Sequence, residues 1–215
     1  MDSFLSTRDG TDGFDLIVVG VQECQRAIDA SSAQDAWDKK LLEYILSDHC
    51  LVKSESLGGI HIAVFARHEH IALISSVGNV FGNKGAASIS FTFAGSSFLF
   101  VNSHLTVAHQ EKTVERNQDY LRILENHPPL QKFSLVVWFG DLNYRVEGTR
   151  AVANKLLADG ALEVLLNNDQ LQTEMKKGNC FHGFIEAPIH FLPTYKLDVY
   201  CPGSTGGDST NWMCL

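Results

Sequence analysis

The chain has 215 residues, 45% hydrophobic and 20% charged, with a formal net charge of −8. That length suits one sizeable core in a single domain, and the acidic balance excludes a general electrostatic pull toward nucleic acid or an anionic bilayer. No apolar run approaches the ~20 residues of a membrane span, and Met1 to Asp9 lacks the basic start and apolar stretch of a signal peptide.

In chain order, Phe14 to Gly20 reads as a strand and Gln34 to Leu46 as a helix with an apolar stripe of Trp37, Leu41, Leu42 and Ile45. Ile60 to Phe65 and Ile71 to Ser75 read as paired strands, with Ala66 to His70 as their hairpin loop. Ser88 to Phe93 alternates, Ile89, Phe91 and Phe93 on one face and hydroxyls on the other, as in a half-buried antiparallel strand. Gly95-Ser96 turns the chain into a strand over Ser97 to Asn102. Gln110 to Leu124, Arg150 to Leu157 and Glu163 to Lys177 read as helices, the last ended by Gly178. Leu135-Val136-Val137 is a buried strand that Gly140 bends. Paired strands mixed with helices predict an α+β fold of two packed sheets with helices outside, rather than a doubly wound parallel sheet. The domain is expected over residues 14–200, with loop or disordered ends at 1–13 and 201–215. The five cysteines (Cys24, Cys50, Cys180, Cys201, Cys214) are odd in number, without a Cys-x-x-Cys pair. They read as reduced thiols of a cytoplasmic protein.

Chemistry concentrates at the predicted strand ends. After Gly140, Asp141 and Asn143 offer a carboxylate that can orient or deprotonate a water and an amide that can bond a phosphoryl oxygen. Without chemistry the same pattern is an Asx turn. Gln22-Glu23 leaves the first strand with a carboxylate suited to a hard cation such as Mg²⁺; loop glutamates are also ordinary. Asn102-Ser103-His104 ends another strand, where His104 can meet a phosphoryl oxygen or protonate a leaving group, and Asn102 can simply cap a turn. Gly82-Asn83-Lys84-Gly85 is a tight loop able to approach an anion, or a plain β-turn. In the helix after Gln110, Asn117 falls on the apolar face and needs partners, so it pins a neighbouring loop or strand. Tyr195 and Lys196, after Pro193, can both donate to a phosphate. Lys84, Arg116, Arg145 and Lys196 are otherwise ordinary solvated charges.

Taken together, Val19-Gly20-Val21-Gln22-Glu23, Gly82-Asn83-Lys84-Gly85, Asn102-Ser103-His104-Leu105, Glu115-Arg116-Asn117-Gln118-Asp119-Tyr120, Trp138-Phe139-Gly140-Asp141-Leu142-Asn143-Tyr144-Arg145 and Pro193-Thr194-Tyr195-Lys196 resemble, in content and order, the inositol polyphosphate 5-phosphatase catalytic domain. The resemblance implies a DNase-I-like two-sheet β-sandwich in a four-layer α/β/β/α arrangement, and Mg²⁺-dependent hydrolysis of the 5-phosphate of phosphoinositides or soluble inositol polyphosphates. It implies a metal ligand in Glu23, catalytic groups in Asp141, Asn143 and His104, substrate contacts in Asn83, Lys84, Tyr195 and Lys196, and supporting roles for Gln22, Asn102, Arg116, Asn117 and Arg145. A cytoplasmic protein, with peripheral membrane contact as a further expectation, follows from the same resemblance.

The family's opening Trp-Asn-x-Asn and closing Asp-Arg-Ile/Val and Ser-Asp-His motifs have no counterpart in order here; Ser47-Asp48-His49 falls at the end of a predicted helix instead. The sequence is therefore expected to be a truncated product with severely reduced turnover. Two alternatives stand beside the enzyme: a catalytically dead phosphoinositide-binding module, and a nuclease of the same superfamily, which the acidic charge and the Asn-Tyr-Arg extension disfavour.

Overall fold

The apolar run after Asp15 forms β1 (Leu16–Val21), beginning two residues later than the sequence suggested. The architecture comes from a computed structural model and is described for residues 13–24, 30–45, 48–81, 85–107 and 110–194. Helix α1 (Ala30–Tyr44), β2 (His49–Leu57), β3 (Ile60–Arg67), β4 (Ile74–Phe81), β5 (Ala86–Phe93), β6 (Ser96–His104), α2 (Thr113–Glu125), β7 (Leu135–Asp141), α3 (Arg150–Ala158), α4 (Leu162–Leu166) and α5 (Gln170–Lys177) follow. The backbone divides into two compact units, one of Met1–Leu105 with Arg122–Leu142 and one of Thr106–Leu121 with Asn143–Leu215.

The first unit holds both sheets, ordered β1-β3-β2 and β4-β5-β6-β7. All pairings are antiparallel except β6 with β7. Strand β3 is buried on both faces, in keeping with a sequence that is apolar from Ile62 to Ala66, and His61 is buried with it. Ile60, Ile62 and Val64 pack on Ala87, Ile89 and Phe91 of β5, forming the core between the sheets. Ala63 and Phe65, on the alternate face, take Leu41 of α1 and Ile45 just after it. Ala94-Gly95 closes the β5–β6 hairpin with φ of 48° and 84°, the left-handed pair a two-residue turn needs.

Several expectations change. The anticipated Ile60/Ile71 hairpin does not form: a 3-10 turn at His68–Leu73 carries the chain from β3 into a different sheet at β4. Alternation sets the face of a strand and leaves its partner open. Strand β2 was not expected at all. Its pairing register shifts between Leu51 and Lys53, and that bulge breaks the alternation. His49 begins this strand as a buried side chain, while Ser47 lies outside the described residues. The hydroxyl face of β5 is not solvated throughout, because Ser88 is fully buried and bonds His127.

His127 gives this unit a pH dependence. Its Nδ1 donates to the Ile123 carbonyl at 2.7 Å, which leaves Nε2 to accept from Ser88 Oγ at 2.9 Å. Burial lowers its affinity for a proton below the ordinary value of 6.5, outweighing the opposing Ile123 contact; burial does the same at His61, against the Asp38 carboxylate. The unfolded chain therefore takes up protons near that value while the folded chain does not. The contribution is complete above it and lost as pH falls below it. Urea unfolding between about pH 7.5 and 5.5 should show stability falling with acid, and His127→Gln should flatten that fall. An unchanged slope in the variant would remove His127 from the account.

In the second unit, Val146, Ala153 and Leu165 form a small core with Leu156 and Leu157. The predicted single helix over Glu163 to Lys177 is split into α4 and α5, because Asp169 caps a new start instead of continuing the old helix. Its carboxylate accepts from Leu171 N at 2.9 Å and Gln172 N at 3.4 Å. Gly178, at φ 76°, ends α5 as expected.

Candidate active site

Within the first unit, polar groups gather where β1, β6 and β7 end. Asn102, on β6, is fully buried. Its Nδ2 donates to the carbonyls of His61 at 2.9 Å and Val21 at 3.3 Å, and its Oδ1 accepts from Gln22 Nε2 at 2.6 Å. Asn102 therefore does not cap a turn; it stitches one sheet to the other and fixes the exit of β1. Gly20 is obligatory beside it: a Cβ there would meet Phe139 Cε2 at 2.3 Å and Asn102 Cγ at 2.7 Å.

Directly after Gln22 comes Glu23, an exposed side chain on a backbone at φ 54°. A left-handed glutamate is strained by about 1–2 kcal/mol, and such strain collects at functional sites. The next residue anchors the loop, Cys24 N donating to Gly59 O at 2.9 Å. Glu23, Cys24, Gly59, Gly85 and His104 line one cavity of about 600 Å³.

The parallel register of β6 and β7 sets His104 opposite Asp141. His104 Nε2 lies 3.7 Å from Asp141 Oδ2 and, though buried, makes no hydrogen bond among the described residues. His104 N donates to Gly85 O at 2.8 Å, and Leu105 N to Asp141 O at 3.0 Å, so the backbone on both sides of the pair is held. Trp138 Nε1 donates to Ser103 Oγ at 2.9 Å and locks the same two strands together.

The second unit carries the remaining described candidates. Asn143 is buried at φ 58°, a conformation asparagine tolerates better than most residues. Its Oδ1 accepts from Arg145 Nη2 at 2.9 Å. Arg116 is not a solvated charge. It is fully buried on α2, its Nη1 donating to Gln170 Oε1 at 3.1 Å and its Nε to Thr106 O at 3.3 Å. Asn117 Nδ2 donates to Glu174 Oε2 at 2.7 Å, and Tyr144 Oη donates to Asn117 Oδ1 at 2.6 Å. The Lys177 ammonium, followed by the Asn179 and Asn117 amides, holds the Glu174 carboxyl below the usual range. Burial pushes the Tyr144 phenol far up, so it remains a donor. Gln170 and Glu174 were not anticipated from sequence, where both were ordinary positions of a predicted helix.

Asn83, Lys84, Tyr195 and Lys196 lie outside the described residues. Among those described, no three His, Cys, Asp or Glu side chains converge on one metal position. The donor chemistry at Glu23 still fits a hard divalent cation, since Mg²⁺ commonly takes one or two carboxylates and completes its shell with water and substrate phosphate.

Two packed sheets with helices, and acid and imidazole groups at the ends of β7 and β6, define a DNase-I-like α+β domain. Residues 1–203 match the Endonuclease/Exonuclease/phosphatase family 2, and the chain belongs to that family. It is 35% identical to human phosphatidylinositol polyphosphate 5-phosphatase type IV, covering 98% of this chain and 36% of that protein. It is 34% identical to mouse type II inositol 1,4,5-trisphosphate 5-phosphatase, covering 86% of this chain and 21% of that protein. The chain thus spans about a third or less of these relatives' length. The inositol polyphosphate 5-phosphatase domain of SPsynaptojanin, solved with inositol (1,4)-bisphosphate and calcium, superposes with a TM-score of 0.84 at 28% identity, over 94% of this chain and 65% of that one.

Proposed function

We propose that the chain carries the chemistry of an inositol polyphosphate 5-phosphatase, hydrolysing the 5-phosphate of phosphoinositides or soluble inositol polyphosphates with Mg²⁺. The observation that carries this reading is the His104–Asp141 pair, 3.7 Å apart, with His104 lining the same cavity as Glu23. Asp141 orients the attacking water and takes its proton. The water oxygen bonds to phosphorus as the bond from phosphorus to the inositol oxygen breaks, and the departing inositol oxygen takes a proton from solvent to leave as the hydroxyl. His104 Nε2 donates to a phosphoryl oxygen, which gives that buried group the partner it lacks among the described residues. Asn143 is assigned as a further phosphate donor from its sequence motif alone. Glu23 would hold the Mg²⁺, which when bound polarises the phosphoryl oxygen and offsets its negative charge.

Tyr195 and Lys196 are assigned to the neighbouring 4-phosphate, and Asn83 and Lys84 to the mouth of the site, from their sequence motifs alone. We place the protein in the cytoplasm, meeting lipid substrate as a peripheral membrane protein. No helix among the described residues is long and apolar enough to cross a membrane. Impaired turnover is part of the proposal, and a module that grips phosphoinositides without hydrolysing them is its second reading.

Purified chain incubated with inositol 1,4,5-trisphosphate, and separately with vesicles carrying phosphatidylinositol 4,5-bisphosphate, should release the 5-phosphate in Mg²⁺ and stop on chelation. Vesicle binding without release would select the binding module. Release unaffected by chelation would overturn the metal assignment, and plasmid nicking in place of phosphate release would revive the nuclease alternative.

A further inference from the structure

We infer that Gln170 is a positioning residue for Asn143, acting through Arg145 to hold the Asn143 carboxamide with its nitrogen, the group read as a phosphate donor, turned away from Arg145. This rests on the hydrolase reading above.

Gln170 opens α5 and is 3% exposed. Its Oε1 accepts twice, from the Arg145 backbone N–H at 3.0 Å and from Arg116 Nη1 at 3.1 Å. Its Nε2 donates to Glu147 Oε1 at 2.6 Å. Its own backbone N–H donates to Arg145 O at 2.9 Å. Both backbone polar groups of Arg145 are therefore held by this one residue. The grip extends on either side: Val146 pairs with Asp169 as an isolated bridge, and Glu147 N donates to Asn168 O at 2.8 Å. The segment that begins at Asn143 is zipped onto the start of α5.

The clamp ends on Asn143. Arg145 Nη2 lies 2.9 Å from Asn143 Oδ1. A guanidinium only donates, so the atom it meets must be the carboxamide oxygen. With the oxygen fixed there, the planar amide directs its nitrogen, the one useful donor to a phosphate, the other way. The Asn143 backbone, at φ 58°, is itself held off the common regions, so a loosened Arg145 releases both the backbone and the side chain. Only a neutral carboxamide meets the demands at position 170, since it must accept from two donors and donate to one carboxylate.

The test is Gln170→Met, which keeps the length and removes the side-chain bonds to Arg145, Arg116 and Glu147. Hydrogen exchange of the Arg145 amide should accelerate while α5 keeps its protection. The kcat for phosphate release should fall about tenfold or more, as misplacement by a fraction of an ångström or more does, with KM within about twofold. In an Asn143→Ala background the same change should cost less than about twofold, because coupled residues do not add. A full multiplicative loss in that background, or an Arg145 amide as protected as before, would overturn the proposal. Where Gln170→Met fails to fold, the exchanged pair decides. Gln170→Glu sets two carboxylates together and should lose activity; adding Glu147→Gln restores a donor and should recover it. No recovery would count against the clamp. If the unsubstituted chain releases no phosphate, the hydrolase reading fails by itself. The NMR signals of the Asn143 carboxamide then judge the clamp, and their failure to move in Gln170→Met would sink it.

Discussion

Gly140→Ala should leave little folded protein. Gly140 sits in β7 at φ 122°, a region closed to residues with a side chain, and an added Cβ would lie 2.1 Å from Ser103 O and 2.7 Å from Asn102 Oδ1. Neither neighbour can give way. Ser103 belongs to the paired backbone of β6, and Asn102 is fully buried with three hydrogen bonds. The backbone strain alone amounts to about 1–3 kcal/mol. The collision with main-chain atoms takes the total past roughly 4 kcal/mol, a rare loss for one methyl group and a large part of the ~5–15 kcal/mol that holds a domain together. Urea titration followed by far-UV circular dichroism reads this directly. A midpoint within error of the parent would mean that β6 and β7 do not approach as described.

Asp141→Asn should do the opposite, sparing the fold and removing the chemistry. The amide is nearly isosteric, and the backbone bond from Leu105 N to Asp141 O is unaffected. What goes is the carboxylate 3.7 Å from His104 Nε2, and with it, on the function proposed above, the acceptor for the proton of the attacking water. Loss of a positioned base slows such reactions by about 10²–10⁴-fold. Phosphate release from inositol 1,4,5-trisphosphate should fall by that factor while the melting temperature stays within a few degrees. A variant retaining more than a tenth of the parent rate would remove Asp141 from the role of base.

The sequence exposes what is local and hides what is not. Strands β5, β6 and β7 are legible because their apolar runs and alternation lie within a few residues, and His104 and Asp141 follow as groups at strand ends. The sheet switch between β3 and β4 is illegible, since periodicity carries no information about a strand's partner. Arg116 looks like an ordinary surface charge because the group that justifies its burial, Gln170, stands 54 positions away. Asn102 is misleading for the same reason: its partners, Gln22 just after β1 and His61 in β3, stand far earlier in the chain. The left-handed backbone at Glu23 has no signature in residue type, since glutamate has no bias toward it. Asn143 does have such a bias, and its conformation was readable in principle.

The single carboxamide of Asn102 has one more effect. Its nitrogen holds the main chain at Val21 and His61, and its oxygen holds Gln22. Any breathing motion that pries the layers apart at this end must break all three bonds at once, in a place water does not reach. Transient opening there belongs with whole-molecule unfolding rather than with the shallow fluctuations of surface loops. The carboxylate-bearing loop and the imidazole-bearing strand are therefore kept in mutual alignment through ordinary thermal motion, and whatever ligand they share meets them already arranged.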